Sequence, residues 1–311
     1  MSLGFLFALI TKRFGFLERT PTMNSTTPTI YPCTTRVQQN TVDLNTTGGL
    51  RLRLRLEVWF RRWAEYIVFP VGLVTFLGLW SAIVKIGNYP PFILPSPGRV
   101  YDKFVITILD GTLWKHTQIT LLEILAGLSL GLIVAVVIGY ILAKSPFLER
   151  LLSPYIIASE SIPIVALAPL LVIWFGFGGL SKVLICALIV FFPVLVNTIV
   201  GIRTVEQDLR DLMHSLQASK WQTFLMLEVP ASLPVFFGGL KMAVTLAVIG
   251  AVVGEFVGAD RGLGALINIA RGIMDTPLLF VALFTLVFIA VTLYGLVVIV
   301  ENRVLAWQKK R

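Results

Sequence analysis

The chain has 311 residues, of which 56% are hydrophobic and only 14% charged, and its mean hydropathy is +0.85. A soluble domain carries charge on about a quarter of its residues, so a water-soluble globular protein is excluded and an integral membrane protein is indicated. The formal net charge of +9 does not point to nucleic acid, because Lys and Arg gather at the edges of apolar runs and form no continuous patch.

Residues 1–50 read as a disordered or misannotated tail. A short apolar start, LGFLFALI, is followed by Lys12, Arg13 and a Thr/Asn-rich stretch without helical or strand period. A signal peptide carries its charge before the apolar core, whereas here Lys12, Arg13 and Arg19 follow it. The chain begins at Met1 or at Met23. The sequons at Asn24 and Asn45 matter only for an extracellular tail. Residues 51–66 form a basic flank, with Arg51, Arg53, Arg55, Arg61 and Arg62 ahead of the first span, and Trp59 and Trp63 fit an interfacial belt.

Hydropathy predicts about six transmembrane helices, at 67–86, 120–143, 154–175, 182–200, 233–257 and 278–300, each long enough for a bilayer of ~30 Å. The membrane-spanning region is 67–305, and 306–311 is a basic C-terminal end. Even span number puts both termini on one side. Arg303, Lys309, Lys310 and Arg311, together with Lys144, Arg150, Arg203, Arg210 and Lys220 in intervening loops, make that side the cytoplasm. No internal repeat is visible. Six spans are too few for a twelve-span carrier in one chain, so a pathway needs a second copy or a paralogue.

Between the fourth and fifth spans lies a polar insert, about 203–232. Leu209, Leu212, Met213 and Leu216 share one helical face, and a second helix carries Trp221, Phe224, Leu225 and Leu227. The two meet near Gln217 to Ser219; Ser219 can cap the second helix and Pro230 is expected to stop it.

This insert resembles the cytoplasmic loop of the inner-membrane permeases of ATP-binding-cassette importers, whose frame is EAA, three residues, G, nine residues, I, one residue, LP. Asp211-Leu212-Met213, Gln217 and Leu227-Glu228-Val229-Pro230 stand at those positions, and Ala218 and Ser219 follow the turn. The resemblance implies an all-α, polytopic membrane protein with the type I importer permease fold. It also implies a loop that docks on a separate ATPase, so that this chain binds no cofactor and the partner hydrolyses ATP. Gln217 replaces the turn glycine; a left-handed Gln costs about 1 kcal/mol or more, so a turn of another type is the alternative. An amphipathic interfacial helix without a partner is the plainer reading.

The resemblance covers about residues 90–305. LPSPGRVYDKF, SIPIVALAPLLVIWFGFG, VFFPVLVNTIVGIR and IGAVVGEFVGADRGLGALI look like the branch serving nitrate, sulfonates and taurine, and within it the permeases for riboflavin and thiamine-precursor pyrimidines. The implied partners are an ATPase, an extracytoplasmic solute-binding protein, a second permease and membrane lipid.

Polar groups inside spans are costly unless they face water or a partner. Glu160, Asn197 and Glu255, with Pro163 and Pro169 kinking the third span, are read as lining the translocation pathway; helix-to-helix hydrogen bonding is the alternative. Gly127, Gly131 and Gly139 suit close helix approach. Cys33 and Cys186 share no compartment, and His116 and His214 fall on opposite sides of the membrane, so no disulfide, metal or catalytic pair is expected. The phosphate-binding G-x-x-x-x-G-K-[ST] motif is missing from the sequence. A secondary ion-coupled transporter and a membrane scaffold are the rival classes.

Overall fold

The computed structural model describes residues 70–307. The expectations for 1–50, 51–66 and the last residues of the basic end therefore lie outside it, as does Cys33. Among the described residues every regular element is a helix: α1 (Pro70–Gly87), α2 (Pro97–Leu109), α3 (Thr112–Lys144), α4 (Pro146–Glu160), α5 (Ile164–Phe175), α6 (Gly179–Arg203), α7 (Gln207–Ser215), α8 (Lys220–Thr223), α9 (Val229–Gly258), α10 (Leu263–Gly272) and α11 (Thr276–Val304). A π-turn, Phe224–Glu228, joins α8 to α9.

The breaks follow local chemistry. Gly111 at φ 73° separates α2 from α3, since a left-handed residue cannot continue a helix and glycine adopts it without a Cβ clash. Ser145 ends α3 and caps α4, accepting from Leu148 N, with Pro146 in the first turn, where a missing N–H has no cost.

The core is a tight trio in which α6 packs along both α3 and α9. Small residues make this possible. A Cβ on Gly127 would stand 2.4 Å from Cys186 Cβ, one on Gly131 would stand 2.6 Å from Ala187 O, and one on Gly139 would stand 2.9 Å from Thr198 Cβ. The glycines of α3 thus serve close approach, as their spacing predicted; without a hydrophobic drive between helices in lipid, such contacts supply the association. The order of these contacts shows α3 and α6 running in the same direction. On the other side Gly201 meets Ser232, Gly239 meets Asn197, Gly250 meets Cys186 and Gly254 meets Lys182, so α6 and α9 are antiparallel. Outside the trio, α11 packs on α9 and α10, and α2 on α11. Trp80 of α1 stacks near Phe280 and Phe284 of α11, with ring centroids 5.3 and 6.0 Å apart.

Five described helices are long and apolar enough to cross a membrane. Because α3 and α6 run the same way, the chain between them must return across the bundle. That return is α4 with α5, which are bent by 91° at their junction, making the sixth pass. The expected third span is thus one broken pass that starts earlier, at Pro146. The break is at Ser161 to Pro163, and Pro169 sits inside α5 without interrupting it. Ser159 and Ser161 hydroxyls donate to the Tyr155 and Ile157 carbonyls, so both hydroxyls find partners one turn back on their own helix at the break.

Since Gly131 meets backbone, which cannot give way, Gly131→Val should separate α3 from α6 and lower stability by about 1–3 kcal/mol. Thermal unfolding of the detergent-purified protein measures this; an unchanged midpoint would contradict the packing.

Candidate functional site

The polar insert is built by two capping motifs. At the end of α7, Gln217 adopts φ 54°, Gln217 N–H donates to His214 O at 2.9 Å, and Ala218 N–H donates to Met213 O at 3.0 Å. This pair of bonds is the Schellman motif, which satisfies two terminal carbonyls by one left-handed residue. Gln217 therefore makes the turn that a glycine would make, and a turn of another type is ruled out; two hydrogen bonds outweigh a Cβ penalty of about 1 kcal/mol. Two residues later, Ser219 Oγ accepts from Gln222 N at 3.2 Å while Ser219 N donates to Gln222 Oε1 at 2.8 Å, a complete capping box for α8.

Pro230 does not stop this second helix, contrary to expectation. Helical structure continues from Lys220 to Gly258, because the π-turn shifts register: Val229 N–H reaches back five residues to Phe224 O, and Pro230 then occupies the first turn of α9, where its lack of an N–H is tolerated.

The insert's outer surface is apolar and uncovered. Leu212, Leu216 and Trp221 are 53%, 68% and 66% exposed, and Asp211 is exposed beside them, accepting from Gln207 Nε2 at 3.2 Å. Met213, Ala218, Leu227, Val229 and Pro230 are half-buried. Inward, the segment is tied to three helix ends. Arg210 Nη2 donates to Ile202 O at 2.7 Å on α6; Arg203 of α6 pairs with Glu149 of α4; and Glu228, 1% exposed, pairs with Lys144 at the end of α3. Sequence reasoning missed Glu228, which it treated as the unspecified residue of the frame, although an acidic residue in an apolar run is itself a signal.

At the opposite end of the bundle, Glu255 organises a second polar cluster. It is fully buried. Its Oε1 accepts from Thr120 Oγ1 of α3 at 2.6 Å and its Oε2 accepts from Gly264 N in the first turn of α10. Thr120 Oγ1 in turn accepts from Leu263 N at 2.7 Å. Two of α10's otherwise orphaned N–H groups are thereby capped from elsewhere in the fold. A Cβ on Gly262, whose φ is 117°, would lie 2.2 Å from Glu255 Oε1, so only glycine fits. His116 Nδ1 lies 2.7 Å from Gly262 O and 3.1 Å from Gly262 N, which fastens the ring to that backbone in either tautomer. Alongside, Lys182 of α6 pairs with Glu123 of α3 at 3.1 Å, both nearly buried.

The residues assigned to a pathway are not brought together. Glu255 is a fully buried helix-to-helix clamp. Asn197 is half-buried, donates to Pro193 O at 2.8 Å and packs against Gly239. Glu160 ends α4 and is exposed, next to the break at Pro163. Beyond these, Lys241 of α9 pairs with both oxygens of Glu301 on α11 at 3.0 Å. Single-sequence reading could not pair Glu123 with Lys182 or Lys241 with Glu301, which are distant in the chain.

Residues 124–306 match the family described as the binding-protein-dependent transport system inner membrane component. The chain is 48% identical over 239 residues to a riboflavin transport system permease protein of Chloroflexus aurantiacus, covering 77% of this chain and 89% of that one. It is 36% identical over 221 residues to a formylaminopyrimidine transport permease protein of Halalkalibacterium halodurans, covering 71% and 88%, and 28% identical over 266 residues to the taurine transport system permease protein of Escherichia coli, covering 83% and 96%. Among solved structures, an amino acid ABC transporter chain aligns with TM-score 0.52 at 16% identity, covering 64% of this chain and 97% of that one, a likeness of fold.

Gln217→Gly should leave the turn intact, whereas β-branched Gln217→Val should weaken it by about 1–2 kcal/mol. Faster hydrogen exchange at the Gln217 and Ala218 amides is the readout. At the other end, Thr120→Val should destabilise by ~2 kcal/mol, since it strips partners from Glu255 and Leu263, and Thr120→Ser should restore most of that loss. Thermal unfolding of the three proteins checks it.

Proposed function

The chain belongs to the family of binding-protein-dependent transport system inner membrane components, and on that premise we propose that it is the permease subunit of an ATP-driven importer for riboflavin. The observation that carries the reading is the insert itself: two short capped helices held at one bundle end, with Leu212, Leu216 and Trp221 exposed beside Asp211. An exposed aromatic and aliphatic cluster with a charged rim is the kind of surface that anchors a protein partner. The partner is a cytoplasmic ATPase. Its ATP-driven closure carries the insert and shifts the permease between inward- and outward-open states, by binding one better than the other.

Lys144, Arg150, Arg203, Arg210 and Lys220 cluster toward the insert's end, which supports a cytoplasmic insert, and with it cytoplasmic termini, by the positive-inside rule. The opposite end then accepts solute from an extracytoplasmic binding protein. Helix α4 has no buried residue, and its apolar exposure supports pairing with a second copy or a paralogue. Riboflavin is favoured by the Chloroflexus aurantiacus relative at 48% identity. A thiamine-precursor pyrimidine, and then a sulfonate or taurine, are the substrates to set beside it, given the weaker similarity of those relatives. Along the pathway, Glu160 and the break at Pro163 are the candidates that remain exposed.

Proteoliposomes holding this chain with its ATPase and binding protein should take up riboflavin only with ATP, in preference to a pyrimidine, taurine or nitrate. Uptake that survives without the ATPase but collapses with an ion gradient would establish a secondary carrier instead. Truncating Leu216 and Trp221 to alanine should weaken ATPase association by about tenfold or more, measured by co-purification and titration.

A further inference from the structure

The insert and the trio core are joined unevenly. The π-turn packs chiefly on α8 before it and α9 after it, and α7 follows α6 directly with Arg210 bonded to Ile202 O, so displacement of the insert reaches α9 and α6 through continuous backbone but not α3. Toward α3 the packing is interrupted: a cavity of about 370 Å³ lies between the π-turn, α3, α6 and α9, lined by Val136, Tyr140, Thr198, Ile202, Phe224 and Ser232 among others. An open cavity transmits little force, because its walls have no partner atoms across it.

One set of side chains bridges that gap. Glu228, the last residue of the π-turn, pairs with Lys144, the last residue of α3. Lys144 Nζ also lies 5.7 Å from the Tyr140 ring centroid. Tyr140 meets Phe224 edge-on at 5.0 Å, and Phe224 meets Trp221 at 5.4 Å. A chain of contacts thus runs from the exposed surface of α8 through the π-turn to the end of α3. Among the described residues, no other ion pair joins the insert or its π-turn to α3; the remaining pairs are Lys103 with Asp275, Lys182 with Glu123, Arg203 with Glu149, and Lys241 with Glu301.

The burial of the pair is asymmetric. Glu228 is 1% exposed and its second carboxylate oxygen has no partner, whereas the Lys144 side chain is 38% exposed. A buried carboxylate with a single counter-charge is held to that partner, because separating them leaves an uncompensated charge in an apolar surround. Such a link resists both extension and compression, which apolar contact across a cavity does not.

We propose that Lys144 and Glu228 form a positioning strut that makes the end of α3 follow the insert when the ATPase moves it, in step with α6 and α9. The proposal rests on the insert being the ATPase contact. Without the strut, the end of α3 follows the insert only through its packing on α6, its motion lags that of α6 and α9, and ATP is hydrolysed with little solute crossing.

Lys144→Met, Glu228→Gln, Lys144→Arg and the exchanged pair Lys144→Glu with Glu228→Lys, each assembled with ATPase and binding protein in proteoliposomes, test this. The measured quantity is solute taken up per ATP hydrolysed, beside ATPase co-purification and thermal midpoint. Lys144→Met and Glu228→Gln should still co-purify with the ATPase and hydrolyse ATP, with uptake per ATP lowered about tenfold; Lys144→Arg should retain the ratio and the exchanged pair should recover most of it. A purely structural role would lower assembly and both rates together and leave the ratio unchanged. An unchanged ratio in the single variants overturns the strut, as does an exchanged pair that assembles and hydrolyses ATP yet stays uncoupled. If wild type itself shows neither ATPase binding nor ATP-dependent uptake, it is the permease reading that fails.

Discussion

Close approach of α3, α6 and α9 is the constraint on which the rest of this protein depends. Backbone meets backbone at Gly131 and Ala187, and at Gly250 and Cys186, leaving the trio no space to slide without separating. In lipid, where apolar surface gains nothing by leaving its surroundings, this van der Waals contact holds the bundle. A rigid trio also fixes where everything polar must go. Buried charges of the trio are paired instead: Lys144 with Glu228 and Arg203 with Glu149 at one end, Lys182 with Glu123 at the other, and Lys241 of α9 with Glu301 of α11.

The two ends solve different problems. At the Glu255 end, the Gly264 N–H of α10 and the Thr120 hydroxyl converge on a fully buried carboxyl, and Gly262 yields the space for it. That arrangement welds α3, α9 and α10. At the insert end the ties are fewer, reach outward, and bound a cavity. Stiffness at one end and a sparse linkage at the other suit a machine moved from the insert and hinged opposite, which is how the proposed coupling would travel through a core that does not deform.

Much of the candidate site was legible because local chemistry decides it. The helices either side of Gln217, the cap at Ser219 and the position of the turn follow from residue types at fixed spacing, and Gln217 took the left-handed turn its position in the frame demanded. Pro230 was misread for a reason that is also local but less visible: a π-turn absorbs the register change, and no residue type marks a π-turn in the way glycine marks a Schellman cap. For Glu255 and Asn197 the sequence could show intramembrane polarity but not what each group bonds to. Their partners, Thr120, Gly264 and Gly239, lie on other helices or across a loop.

By itself, the sequence determined the solvent and the element type: long apolar runs demand a membrane, and in a membrane an uncovered backbone must be helical. It also placed α6, α11 and the two short helices of the insert, and the exposed character of the insert, since capping and amphipathic period act within a few residues. Only the tertiary structure decided which carboxylates are clamps and which are ties, that the broken α4–α5 pair is a single return pass, and that a cavity lies between the π-turn and α3. Those properties depend on what stands opposite, across helices more than eighty residues apart in the case of Lys144 and Glu228, and pairwise proximity at that separation leaves no periodic mark in a single chain.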